Sequence, residues 1–358
     1  MIDVGERPNN RRDTAIDLCK VLAICAVVCI HCSAGHLVGR QVGSLQWLSA
    51  CFWGVVSRWA VAVFVLCSGA VMNAPERELP LKKLFSRYLL RLALALSVWA
   101  GLYEGMRLYF LRGSAPLSEL VVQCAKNWLT GNTWYHLYYF YFAIALYLAL
   151  PLTRLIARHA SRQELRYILA LWLLSGGVFS FLQCFPPFNQ LNSFLLQYSL
   201  SPIVLVPGLG LLGWYLHQSP PKGWTEGLIL FLAGFGATFA GTWRHSVAAG
   251  ALDGLYLSGF SPFVLLMAAG IFRLCQRWAD CPASPRGERA SGLLQFLSRG
   301  SFCVFLIHPF FQGLARQAWF ESLPSYWAIP AQAALLLSLS YGAYWFLRRI
   351  PAVNRWLI

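Results

Sequence analysis

The feature that most limits what this chain can become is a succession of long apolar stretches, parted by short polar or Pro/Gly-rich breaks, along nearly its whole length. About ten are readable, near 15–38, 46–73, 86–108, 134–155, 166–184, 199–217, 225–243, 254–275, 300–318 and 327–348. A bilayer core about 30 Å thick takes roughly 20 apolar residues per helical crossing. Barrel strands would instead alternate in polarity over about ten residues, so the expected class is all-α, a polytopic transmembrane helix bundle of about ten spans. With 58% of 358 residues hydrophobic and 12% charged, nothing is left for a separate soluble domain, and residues 1–358 read as one integral-membrane domain.

The formal net charge of +15 would point to nucleic acid or anionic lipid if the basic residues shared one folded surface. They fall instead in bands: Arg7, Arg11 and Arg12, then Arg77 to Arg87, Arg154 to Arg166, Lys222, Arg273 to Arg299 and Arg348 to Arg355. These hold 20 of the 29 Lys and Arg residues, whereas the alternate loops hold 6: Arg40, Arg107, Arg112, Lys126, Arg244 and Arg316. The positive-inside rule reads that asymmetry as orientation, with both termini cytoplasmic. Nucleic acid is therefore not an expected partner; the lipid bilayer is.

Most of the eleven cysteines, including Cys19, Cys25, Cys29, Cys32, Cys51 and Cys67, lie within apolar runs, where a thiol acts as a small hydrophobe, and no metal-ligand spacing occurs. The first apolar segment follows basic residues as a signal peptide would. Asp17 and Lys20 interrupt it and no small-residue cleavage site follows, so it reads as a retained helix. Arg277 to Ser298, with Pro282, Pro285, Gly287 and Gly292, reads as a flexible linker between bundles, and Leu111 to Thr133 as the main outer loop, with Trp128, Trp134 and Tyr135 fitting an interfacial belt. Neither half of the chain repeats the other, which counts against many transporter folds.

Ionisable residues within membrane spans are costly, so each is a functional candidate. At about 100° per residue, Asp17, Lys20 and His31 share one face of the first helix, with His31 roughly 16 Å deeper than Lys20. A bland reading has Lys20 snorkelling to the interface beside Asp17, and His31 bonding to a neighbouring helix. Arg58 stands deep in the second span, ahead of Phe64, Ser68 and Gly69; the small pair also suits close helix packing. Arg87 and Arg91, four apart near the basic boundary, offer guanidinium forks for phosphate or for lipid headgroups. Tyr135, His136 and Tyr138 stand at the mouth of the fourth span, and His308 with Ile307 and Pro309 in the ninth.

The order of these motifs resembles the integral-membrane acyltransferase 3 family. That family opens with an Asp, then a basic residue eleven positions before a His, as in Asp17, Lys20 and His31. An Arg ahead of a Phe and a Ser-Gly follows, then a basic third-helix entry, a Tyr-His-Leu segment running into Tyr147, Leu148 and Pro151, and a late Ile-His-Pro matched by Ile307, His308 and Pro309. The chain looks most like the short bacterial enzymes that O-acetylate enterobacterial common antigen and related glycans. Lys20 and Tyr138 stand where many relatives have Arg and Trp.

The resemblance implies acyl transfer, usually of acetyl from acetyl-CoA, to a hydroxyl of a cell-surface polysaccharide or lipid-linked sugar, at a bacterial inner membrane crossed many times. No permanently bound cofactor is implied; acetyl-CoA is the donor substrate. On that reading His31, Asp17 and Arg58 are catalytic, with His31 the base, Arg58 steadying the thioester carbonyl and Asp17 orienting Lys20. Lys20, Arg87, Arg91 and Ser68 bind the donor, and His136, Tyr135, Tyr138 and His308 the acceptor. The competing expectation is a small-molecule or lipid transporter with the same charges along its path, although proton or ion coupling commonly uses buried carboxylates, which are scarce here.

Overall fold

The computed structural model describes residues 13–111, 113–191, 205–281, 287–315, 320 and 322–358. Arg7, Arg11, Arg12, Arg112, Arg316, Pro282 and Pro285 lie outside them, as do 199–204 and 316–318 of two expected spans. Among the described residues the chain is helical throughout, without strands. Its elements are α1 (Thr14–Gly39), α2 (Leu45–Val56), α3 (Ala60–Met72), α4 (Leu81–Leu111), α5 (Leu117–Thr130), α6 (Tyr138–His159), α7 (Arg162–Leu182), α8 (Leu205–Gln218), α9 (Trp224–Ala249), α10 (Pro262–Ala279), α11 (Gly287–Ile307), α12 (Ser325–Leu347) and α13 (Pro351–Trp356).

Among the described residues, seven helical segments are long and apolar enough to cross a membrane: α1, the α2–α3 pair, α4, α6, α7, α9 and Ser291–Leu314 of α11 with its short extension. The stretches expected near 199–217, 254–275 and 327–348 fold as α8, α10 and α12, which do not meet the same standard of length and hydropathy. Two loop readings are corrected. The expected linker is mostly helix, because α11 already begins at Gly287, and the outer loop contains α5, which ends where Gly131 turns left-handed at φ +76°.

α1 is the hub, packed against α2, α3, α10, α11 and α12. Of its most apolar window the α2–α3 span buries 72% and α9 only 22%, so the former is central and the latter peripheral. Close approach needs missing side chains. A Cβ on Gly69 would overlap the carbonyl oxygen of Gly210, and one on Gly213 the backbone of Leu66, so α3 and α8 meet almost backbone to backbone.

Two arginines counted above only as orientation signals instead close helix ends. The guanidinium of Arg154 donates to the carbonyls of Met72 at 2.5 Å, Ala74 at 3.0 Å and Arg77. Arg273 donates to Leu216 at 3.0 Å and Ser219 at 2.5 Å, and pairs with Glu226 at 3.3 Å. The last carbonyls of a helix have no partner within it, and in apolar surroundings a guanidinium fork supplies one.

Candidate active site

α1 and α11 run in the same direction. Near the basic end Ser298 donates a hydrogen bond to Asp17 at 2.6 Å, and farther along both helices the rings of His31 and His308 stack with centroids 5.2 Å apart. His31 is ~21 Å along its helix from Asp17, in the half of the bundle away from the arginine bands. At the opposite end Nδ1 of His36 lies 3.0 Å from Oγ of Ser325, joining α1 to the start of α12.

α11 stops at Ile307, and His308 opens a short 3-10 turn with Pro309 second in it. Nδ1 of His308 lies 3.1 Å from the carbonyl of Val304 and 2.9 Å from that of Phe305. Those acceptors require the proton on Nδ1, which leaves a lone pair on Nε2. The residue is fully buried and Nε2 has no hydrogen-bond partner. A buried acceptor without a donor is costly in a fold that need only persist.

His136, in the turn before α6, completes a group of three histidines. Its ring is 5.6 Å from that of His308, 5.3 Å from Phe305 and 5.0 Å from Tyr103. It is fully buried, set behind the mouth of the fourth span rather than open to it. Trp134 likewise stacks on Tyr103 at 5.0 Å rather than standing in a belt. The accessible aromatics are Tyr135 and Tyr138, 46% and 43% exposed. Tyr135 lies 4.8 Å from His31, ring to ring, and its hydroxyl meets Oε1 of Gln312 at 2.7 Å. The His31 ring itself is half-buried and makes no hydrogen bond among the described residues, so its nitrogens are uncommitted.

Arg58 reaches this group because its helix breaks. Residues Ser57–Trp59 form a turn between α2 and α3, and irregular backbone at membrane depth persists only where protein or a cavity surrounds it. Nε of Arg58 donates at 2.5 Å to the carbonyl of Leu257, in the connection between α9 and α10. Its charge is within electrostatic range of His31 and of the Tyr138 hydroxyl. On α3, Ser68 stands beside the hydroxyl of Tyr139, whose ring faces Phe305 at 5.3 Å. His31, Arg58, Ser68, Tyr135, His136, Tyr138 and His308, drawn from separate segments, therefore form one neighbourhood.

A family model described as an acyltransferase domain, Acyl_transf_3, matches residues 13–349. The chain belongs to this acyltransferase family. No curated protein and no solved structure matches it. The enzyme reading thus prevails over the transporter reading: this is a membrane acyltransferase, and the histidine neighbourhood is where its intramembrane polar groups converge.

Other expected site residues lie elsewhere in the acyltransferase. Asp17 is buried against α11 and accepts a hydrogen bond from Ser298, so its carboxylate reaches another helix. Lys20 is half-buried one turn farther along α1. Arg87 lies in a π-helical stretch, Leu84–Leu89, and stays exposed, while Arg91 turns inward and donates to the terminal carboxylate oxygen of Ile358. Gly69 serves packing. Tyr103, Phe305 and Gln312 belong to the site but were not foreseen, because an aromatic or amide in an apolar run carries no sequence signal of its own.

Proposed function

We propose that the enzyme moves acetyl from acetyl-CoA to a hydroxyl of a cell-surface polysaccharide or lipid-linked sugar in the inner membrane of a bacterium, and that His31 is the general base. The observation that carries the assignment is the half-buried His31 ring with uncommitted nitrogens, set between His308 and the half-exposed Tyr135. With an unperturbed pKa near 6.5, a histidine without an acidic partner is neutral at physiological pH and able to accept a proton.

In the reaction, His31 takes the proton of the sugar hydroxyl as its oxygen bonds to the thioester carbonyl carbon. The carbon–sulfur bond then breaks, the acetyl ester remains on the sugar, and the thiolate leaves with the proton returned by the imidazolium. The Nη groups of Arg58 stabilise the negative charge that builds on the carbonyl oxygen, while its Nε stays anchored to Leu257. Tyr135 and Tyr138 present ring faces and hydroxyls to the acceptor sugar. His308, stacked on His31, holds that ring in position, and buried His136 in turn packs against His308. Lys20 and Arg91 lie on the side that the positive-inside reading makes cytoplasmic, where acetyl-CoA is made.

The test is transfer of radiolabelled acetyl from acetyl-CoA to extracted glycan or lipid-linked sugar, in membranes holding equal amounts of wild type and His31→Ala. Label incorporated by the wild type alone supports the assignment. Equal incorporation by both removes His31 as the base, and none by the wild type removes acetyl-CoA or the offered sugars as substrates.

A further inference from the structure

The least buried span of the bundle, α9, reaches the site through the chain that follows it. α9 stops where Gly250 turns left-handed at φ +66°, and residues 250–261 lead from it to α10, which Ser261 caps and Pro262 opens. This connection supplies the carbonyl of Leu257, to which Nε of Arg58 donates at 2.5 Å. It also carries Phe260, whose ring packs at 4.8 Å on Phe142 of α6, itself 5.3 Å from Tyr138. A carbonyl in a connection without helix or strand keeps a fixed place only if other contacts hold its backbone.

Those contacts converge on Asp253. Its N–H donates at 2.9 Å to Oγ of Ser246, fully buried in the last turn of α9. Its Oδ1 accepts at 2.8 Å from the N–H of Leu255, closing an Asx turn, and its Oδ2 lies 3.5 Å from Nδ1 of His245. A second turn follows at once, in which the N–H of Leu257 donates to the carbonyl of Gly254 at 3.0 Å. Consecutive turns therefore set the path of the chain from Asp253 to the Leu257 carbonyl. Between them Tyr256 lies flat on α9, where a Cβ on Gly241 would overlap its ring. The Asp253 carboxylate thus has two separable properties. Its near oxygen closes the turn, which an asparagine could also do, and its charge faces His245, which a glutamate could also do.

We propose that Asp253 is a positioning residue for acyl transfer: by closing the turn at Leu255 it places the Leu257 carbonyl, which holds Nε of Arg58 and so sets the direction of the remaining guanidinium nitrogens. It acts through Arg58 and not on the substrates. This role rests on the reading of Arg58 given above but assigns a function to a different part of the chain, the connection behind a peripheral helix.

The test measures kcat and KM for acetyl transfer with the purified full chain in nanodiscs. It compares wild type, Asp253→Ala, Asp253→Asn and Asp253→Glu, each also combined with Arg58→Gln. We expect kcat to fall about ten- to a hundredfold in Asp253→Ala and Asp253→Glu, with KM for acetyl-CoA within about twofold of wild type. Asp253→Asn, whose amide oxygen still accepts from Leu255, should restore kcat to within about threefold. In the Arg58→Gln background the same substitutions should lower kcat no further, because the group they misplace is gone. Three results overturn the proposal: wild-type kcat in Asp253→Glu, equal losses in Asp253→Asn and Asp253→Glu, or an undiminished loss in the Arg58→Gln background. If Asp253→Ala does not elute as a monodisperse peak, the comparison of Asp253→Asn with Asp253→Glu carries the test by itself. If the wild type does not use acetyl-CoA, or Arg58→Gln keeps wild-type kcat, the earlier reading has failed separately. The thermal midpoints of Asp253→Glu, Arg58→Gln and the double variant then decide the link: non-additive losses uphold it and additive losses overturn it.

Discussion

The basic end and the histidine region of this acyltransferase handle polar groups in opposite ways. At the basic end Arg154 and Arg273 each donate to carbonyls at helix ends that would otherwise lack partners. In the histidine region the buried Nε2 of His308 has no partner, and the ring of His31 is left uncommitted beside it. Equal desolvation thus has two outcomes. A buried cation bonded to carbonyls stabilises the fold, and an unpartnered buried lone pair costs stability, which makes it a candidate for a functional role.

The largest effect that sharpens this contrast should come from His31→Ala. A positioned base contributes about 10²–10⁴-fold, so kcat for transfer should fall by that order while the thermal midpoint of the purified protein stays close to wild type. A midpoint that fell with activity would recast His31 as a packing residue.

Arg154→Ala should do the reverse. Charged hydrogen bonds contribute about 1.5–3 kcal/mol each, and three carbonyls would lose their donor, so the amount of folded protein and its thermal midpoint should drop sharply. KM in the surviving fraction should hold; a specific change in KM at unaltered stability would make Arg154 a substrate residue and erase the contrast.

Gly69→Ala should cost less, about 1–3 kcal/mol, because the new methyl meets the Gly210 carbonyl and forces α3 away from α8. A thermal-shift measurement checks it, with Gly105→Ala as the control, since nothing lies within 4 Å of a Cβ there.

The smallest effect belongs to Arg87→Ala. An exposed side chain without a fixed partner changes stability by only about 0.5 kcal/mol either way, and donor KM should stay within twofold of wild type, measured by initial rates. A large rise in KM would make Arg87 a donor-binding residue.

Much of the architecture was legible before any tertiary contact was known. Apolar runs of span length decide for helices in a bilayer because lipid leaves backbone groups no other partner. Asp17, Lys20, Arg58 and His31 stood out because a charged or imidazole side chain in such a run is expensive. His308 and His136 were legible as motif members, though not their burial or their mutual contact.

What only the tertiary structure decided is which groups meet. His31, His136 and His308 lie in three distant parts of the chain, and helix periodicity assigns a face without naming the neighbour that fills it. The same limit let Arg154, Arg273 and Arg91 look alike in sequence, as members of basic bands or their neighbours. A guanidinium becomes a clamp or a binding group according to the acceptor within about 3 Å of it, and that acceptor comes from another helix.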